Sequence, residues 1–402
     1  MKALTALKIL ELRQNGIYGT IPESVGNLTN LEELDIRQNK LTGTVPESVF
    51  NLPKLEKLFL FLNRKLSGTI PESINLASNL QYLSFQRCNI KGSIPNTIGD
   101  LKELSFMTFM DNSLTGSLPR RLTTLPSLAV LELSGNELTG KIPEFVGQPE
   151  LYYIGLYDNH LTGEIPETMG NLPGLLFLDL HNNELEGNIP KSFGASPNLV
   201  TFYVSDNMLS GLLPSFDGNK GTLSAASFAN NGLTGSVDHF LSDDGPAAKL
   251  TSLDLGSNYF VGTFPTTIGK FTALKSLGME KNMIRGSLPS QLGLLKALGS
   301  ISLNGNRFTG SIPTTVGKMT SLTSLNFGDN KLSGTVPKEL NGLSRVHSLV
   351  LGPNKLTGTV PFSLWSLKDL GKFLFVNSIL GYFVADDFNM LVDIPFCNLN
   401  NR

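Results

Sequence analysis

Residues 128–143 read LAVLELSGNELTGKIP, and close copies of this stretch recur along the chain. Aligned on Asn136, the copies bring Asn15, Asn39, Asn63, Cys88, Asn112, Asn159, Asn183, Asn207, Asn231, Asn258, Asn282, Asn306, Asn330 and Asn354 to one position. Fifteen repeats result, 24 residues apart except for single spacings of 25, 23 and 27. A fixed period of this length points to a solenoid, because one unit is too small to bury its apolar face except against its neighbours.

Within the unit, Leu128, Leu131 and Leu133 fall at spacings of three and two, and the last two alternate with Glu132 and Ser134. That alternation is a short strand with its leucines inward. Asn136 ends the strand, and its amide can both donate to and accept from turn backbone that has no ladder partner, each bond worth about 1 kcal/mol net. Stacked copies predict an asparagine ladder. The Gly140 position holds Gly in every repeat from Gly19 to Gly358, which suits a positive φ or a close approach. A proline position follows, from Pro22 to Pro361, filled in all repeats but the tenth, which has Asp238. Proline lacks a donor, so irregular turns rather than a continuous second ladder are expected on the convex side.

The pattern LxxLxLxxNxLTGxIP resembles the plant-type leucine-rich repeat, closely at Leu41-Thr42-Gly43 with Val45-Pro46 and at Leu161-Thr162-Gly163 with Ile165-Pro166. That family includes ectodomains of receptor-like kinases and receptor-like proteins, and inhibitors of pectin-degrading enzymes such as polygalacturonase. The resemblance implies an α/β repeat fold: a curved right-handed solenoid with a parallel concave sheet. It also implies a binding role at the cell surface or outside the cell, in signalling or defence. The repeats run over 1–361, and 362–402 is expected to be a degenerate last repeat or cap, with Leu370, Phe373 and Phe375 as its strand. Secreted members carry paired cysteines in caps at both ends. Here only Cys88, in the ladder, and Cys397, thirteen repeats on, are present. In a solenoid they lie too far apart for a disulfide, which needs Cα atoms within about 7 Å. A cytosolic scaffold therefore stays among the readings, and Cys88 reads as a buried structural thiol.

A net charge of −2 and a charged fraction of 16% leave no electrostatic footprint for nucleic acid or an anionic membrane. At the start, Lys8, Glu11 and Arg13 interrupt any apolar leader core, while Leu4, Leu7, Leu10 and Leu12 keep the repeat register. Those leucines are expected to be partly wet unless an upstream segment or another chain covers them. The apolar run from Phe373 to Val384 is too short to span a bilayer and ends at Asp386-Asp387. It reads as an end cap, or alternatively as the membrane-proximal remnant of a longer receptor. Asn27-Leu28-Thr29 makes Asn27 a glycosylation candidate.

Nothing in the chain composes a catalytic or metal centre. His160, His181, His239 and His347 lie in separate repeats with no nucleophile at repeat-related spacing. Asp243-Asp244-Gly245-Pro246 lacks the further oxygen ligands of a calcium loop, and no Cys/His set suggests zinc. Gly135-Asn136-Glu137-Leu138-Thr139-Gly140-Lys141 copies seven positions of a phosphate-binding loop, but Ile142 stands where Ser or Thr must hold magnesium. No cofactor is implied.

Function is sought at the five x positions of L-x-x-L-x-L-x-x-N, which point out of the concave sheet. Rings there have no core to fill. Phe59, Phe61, Tyr82, Phe106, Tyr152, Tyr153, Tyr157, Phe177 and Tyr203 occupy such positions in repeats three to nine, interleaved with Asp158, Asp179, His181 and Asp206. Repeats ten to fourteen carry mostly small polar groups, such as Ser224, Ser227, Ser300 and Ser302. Aromatic pairs also stabilise a sheet with no ligand, by roughly 0.2–1 kcal/mol each. The contrast between the two halves favours binding. The expectation is a non-catalytic module for a protein, peptide or glycan, with Tyr153, Phe177 and Tyr203 as anchors and Asp179 and Asp206 as polar partners. The alternatives are an inhibitor of a cell-wall-degrading hydrolase and an intracellular scaffold.

Overall fold

The computed structural model describes residues 4–219, 221–238, 240–242, 249–377 and 381–385. The chain forms two compact units, Met1–Leu223 and Ser224–Arg402.

In the first unit each repeat contributes one three-residue strand, from Ile9–Glu11 through Glu33–Asp35 and Phe106–Thr108 to Thr201–Tyr203. All pair in parallel and in register. Leu10, Leu34, Leu58, Leu83, Met107, Leu131, Ile154, Leu178 and Phe202 thus form a single inward column. From Leu34 onward this column is at most 1% exposed. Full burial of such side chains stabilises the fold by about 1.5–3 kcal/mol each. In the first repeat Leu4 and Leu12 are instead exposed and Leu7 and Leu10 half-buried, so the leucines expected to be partly wet are so.

The asparagine ladder is present. Asn136 Nδ2 donates to Leu133 and Ser134 of its own repeat and across to Phe109 of the one before, at 2.9, 3.2 and 3.1 Å. Its Oδ1 accepts the Leu114 N–H at 3.0 Å. One amide thereby ties two repeats together at the point where both strands end. Cys88 fills the position without an acceptor: its Sγ donates to the Leu60 carbonyl at 3.2 Å. The Leu66 N–H, which lacks an Asn oxygen to meet, donates to the Asn63 carbonyl, and the extra residue of repeat three makes that turn. Burial pushes the Cys88 thiol up to about 11. Cys397 lies outside the described residues.

All fifteen glycines of the conserved column have positive φ, between 75° and 97°. At Gly43 an added Cβ would also lie 2.9 Å from the Thr20 methyl, so both conformation and space demand glycine. One expectation needs correction. A second row of parallel strands does form on the LTG segment, including Lys40–Thr44, Ser113–Ser117, Glu137–Lys141 and His160–Glu164. Proline permits it because each proline falls after the last paired residue, where no donor is required. From the prolines onward the return side is short helical turns, such as Glu47–Val49 and Asn96–Asp100, as proline geometry implies.

The second unit repeats the plan, with parallel strands from Ala225–Ser227 to Lys372–Asn377 and the ladder continuing through Asn306, whose Nδ2 reaches Met279 at 2.8 Å. The strand expected around Phe373 is Lys372–Asn377, and Gly381–Ala385 pairs with it antiparallel. His239, the Asp243–Pro246 turn and Asp386-Asp387 lie outside the described residues.

Candidate functional site

The strand face of the first unit is built from columns. Because neighbouring strands are in register, each outward side chain stands beside its counterparts in the repeats before and after. Phe59, Phe61, Tyr82, Phe106, Tyr152, Tyr153, Tyr157, Phe177, Asp179, His181 and Tyr203 are all half-buried there, and Asp158 and Asp206 are exposed. None of the rings is lost to the core.

Repeats three to five make a hollow. Lys57, Tyr82 and Phe106 form one column and Phe59, Ser84 and Thr108 the next. The Tyr82 and Phe106 rings stack at 4.6 Å with 9° between planes, and Phe59 tilts against Tyr82 at 6.2 Å. Where the ring column gives way to Ser84 and Thr108, a depression of about 240 Å³ opens, walled by Phe59, Phe61, Tyr82 and Phe106 with Gln86 at its rim. The Arg37 guanidinium covers the outer side of Phe59 and Phe61, 5.5 and 5.0 Å from their centres, and is itself held by the buried Asp35 at 3.3 Å. The N-terminal wall is therefore fixed before any ligand arrives.

Repeats six to nine are arranged differently. The strand alternation placed Glu132 in solvent, but it is only 7% exposed. Its in-register neighbour is Gly155, which has no side chain, and the carboxylate lies over that gap. Tyr153 then closes over it: the Tyr153 hydroxyl donates to Oε2 at 2.7 Å and the Ser134 N–H to Oε1 at 2.9 Å. Burial, followed by the hydrogen bond to this carboxylate, holds the Tyr153 hydroxyl far above its usual range. Tyr157 reaches across repeat six to the Met110 sulfur at 3.9 Å, and Ser134 beside it is fully buried. Two expected contact residues thus have internal work, and the Tyr153 hydroxyl is already committed to Glu132.

Beyond them, Tyr153 tilts against Phe177 at 6.2 Å, and Tyr157 stacks on His181 at 4.6 Å. His181 Nδ1 meets Asp179 at 2.6 Å, and its Nε2 lies 3.9 Å from Asp158, which accepts the Asn182 amide at 2.7 Å. Asp179 stands beside Tyr203 in register. Burial outweighs the histidine and raises the Asp179 carboxyl above its ordinary range; burial and then Asp179 raise the Tyr203 hydroxyl. Tyr152 sits at the entry to its strand, and Asn27 is exposed at the end of the turn Glu23–Asn27 on the return side.

In the second unit the same face is a row of small groups, with Ser252, Ser276, Ser300, Ser324 and Ser348 in one column. Asp254, whose Oδ1 accepts the Gly256 N–H at 2.9 Å, and Glu280 interrupt it. The sequence reading passed over Ser84, Gln86, Thr108 and Glu132. Their signal was available: each occupies an outward column next to a ring or opposite a glycine. Among the described residues no group of three or more His, Cys, Asp or Glu could hold a metal.

Family profiles described as leucine rich repeat match residues 5–64 and, repeat by repeat, 79–101, 127–148, 174–196, 249–271 and 321–343. The fold is similar to the ectodomain of the Arabidopsis thaliana membrane receptor kinase GASSHO1/SCHENGEN3, solved with CASPARIAN STRIP INTEGRITY FACTOR 2. Identity is 34% and the TM-score 0.80, over 92% of this chain and 47% of that one. The chain is a plant-type leucine-rich-repeat protein. This leucine-rich-repeat protein is also similar to the Arabidopsis receptor kinase HAESA, solved with the peptide hormone IDA and the co-receptor SERK1, at 32% identity and a TM-score of 0.78 over 91% of this chain and 65% of that one. The Leptospira interrogans protein LIC12759 matches at 29% identity and 0.70 over 90% and 88%. The repeat protein spans about half to two thirds of the two receptor ectodomains. No curated protein matches it. Among its described residues, no helix is long and apolar enough to cross a membrane.

Proposed function

We propose that this protein is a non-catalytic, receptor-like recognition module that binds a peptide or an extended protein segment on the strand face of repeats three to nine. The carrying observation is the ring-walled hollow at Phe59, Phe61, Tyr82 and Phe106, backed by Arg37. A depression whose walls are fixed by stacking and by a cation over the rings spends little ordering entropy on binding, so a single apolar side chain can anchor there. Tyr203, Phe177 and Asp179 extend the same face. The similar receptor kinase HAESA was solved with a peptide hormone, which supports a ligand of that class. The same likeness supports a place outside the cell or at the plasma membrane.

The test is a quantitative pull-down with the full chain. Tyr82→Ala combined with Phe106→Ala should deplete a captured protein or peptide at least about fivefold relative to wild type, while Ser227→Ala with Ser302→Ala should leave it unchanged. Equal capture by both double variants would remove the strand face of repeats three to nine as the binding surface.

A further inference from the structure

The strand face of the first unit is not electrically uniform. In repeats three to five the outward charges are Glu56, Lys57, Arg87 and Asp111, which sum to zero, and Arg87 is already bonded to Asp111 at 2.7 Å. In repeats six to nine, five outward positions in each of four repeats carry four carboxylates and no lysine or arginine. Glu132 is engaged by Tyr153 and Ser134, Asp158 accepts the Asn182 amide and Asp179 meets His181; Asp158, Asp179 and Asp206 nonetheless face outward among the rings of Tyr157, Phe177, His181 and Tyr203.

A bland reason for two of these acids exists. Asp158 and Asp206 have φ of 53° and 56°, a conformation that suits Asp. Yet Leu62, Arg87 and Lys281 take the same conformation at the same position of their repeats, so the backbone does not dictate a carboxylate. Asp179 lies in the strand itself, where no such preference acts. Carboxylates beside aromatic rings, with Asp179 half-buried, complement a cationic side chain: the charge meets the acids and the rings supply further attraction.

The neutral, ring-walled hollow is centred on repeat four and the acidic region on repeat eight, four strands apart. At about 4.8 Å per strand the separation is about 19 Å, which an extended chain rising about 3.3 Å per residue covers in about six residues. We infer that the strand face takes an extended peptide whose apolar side chain seats among Phe59, Phe61, Tyr82 and Phe106 and whose lysine or arginine, about six residues away, meets Asp158, Asp179 and Asp206. This rests on the peptide-recognition reading and adds the chemistry and spacing of the ligand.

The experiment uses the full chain and synthetic fluorescein-labelled peptides of Gly, Ser and Thr that carry one Phe and one Arg at separations of two to nine residues, in both orders. Fluorescence anisotropy should show the tightest binding at separations of about five to seven. Replacing the Arg by Glu should weaken that peptide at least about tenfold. Asp158→Asn with Asp179→Asn should weaken the Arg peptide by a similar factor but leave its Arg→Ser counterpart unchanged, with an unaltered melting curve showing that the variant folds. Peptide binding that is indifferent to separation, or to Arg against Glu, would overturn the inference and leave peptide recognition standing. If no peptide binds at any separation, or only glycans do, both the inference and the reading beneath it fail.

Discussion

Gly155 offers a sharp test of how the strand face is held. An added Cβ would lie 2.6 Å from Glu132 Oε2 and 2.9 Å from its carboxyl carbon, so in Gly155→Ala the carboxylate must leave its seat. It then loses the Ser134 N–H and the Tyr153 hydroxyl. Hydrogen bonds to a charged group contribute about 1.5–3 kcal/mol each, so the ceiling is about 3–6 kcal/mol. The displaced carboxylate regains water, and replacing glycine stiffens the unfolded chain by about 0.4–1 kcal/mol. A net destabilisation of about 2–3 kcal/mol remains. Gly299 is the control, since its added Cβ meets nothing nearer than the Lys275 carbonyl at 3.5 Å, and Gly299→Ala should be neutral or slightly stabilising. The assay is the urea midpoint combined with hydrogen exchange, which should localise the loss to repeats six and seven because a repeat protein loosens locally. In a Glu132→Ala background the penalty should vanish. A Gly155→Ala variant as stable as the Gly299→Ala control, or one whose loss persists without Glu132, would refute the buried carboxylate as the cause.

Two further outcomes are expected. Asn136→Ala strands the Leu114 N–H and three carbonyls that the amide now serves, and should cost about 2–4 kcal/mol in denaturant unfolding, several times the effect of Asn15→Ala in the exposed first repeat. Tyr153 titrates in the unfolded chain near its ordinary value of 10.0 and far higher when folded, because burial and then Glu132 favour the neutral hydroxyl. Its contribution is therefore complete below pH 10 and is lost as pH rises beyond it. Tyr153→Phe should lower the melting temperature at neutral pH yet flatten its decline above pH 10.

Periodicity revealed the fold because a solenoid repeats its reasons: the inward leucines, the ladder asparagine and the positive-φ glycine each recur at one residue per turn of the coil. The second row of strands escaped notice, since a proline was weighed as though it stood inside the ladder rather than after it. On the strand face, single-sequence reading located the rings and acids but not their direction of lean. Tyr153 and Tyr157 looked like free contact groups, and only the register that sets Glu132 opposite Gly155, with Tyr153 bonded to it and Tyr157 beside Ser134, assigns them to closing over repeat six. That register depends on the 23-residue spacing to Asn159 and on Gly155, whose missing side chain looks like nothing in a string of letters. The hollow at repeats three to five was equally hidden. It exists because Ser84 and Thr108 are small beside Phe59, a contrast between columns that one repeat alone does not display.

The most direct measurement replaces Phe61 and Tyr203, in separate full-length proteins, by a photoreactive benzoylphenylalanine, with Ser48 and Thr315 on the return side as matched controls, and irradiates each in native extract. The expected result is one common adduct from Phe61 and Tyr203 that is absent from the controls, as befits a ligand lying across the strands of repeats three to nine. An adduct pattern equal at all four positions, or confined to Ser48 and Thr315, would contradict recognition by the strand face.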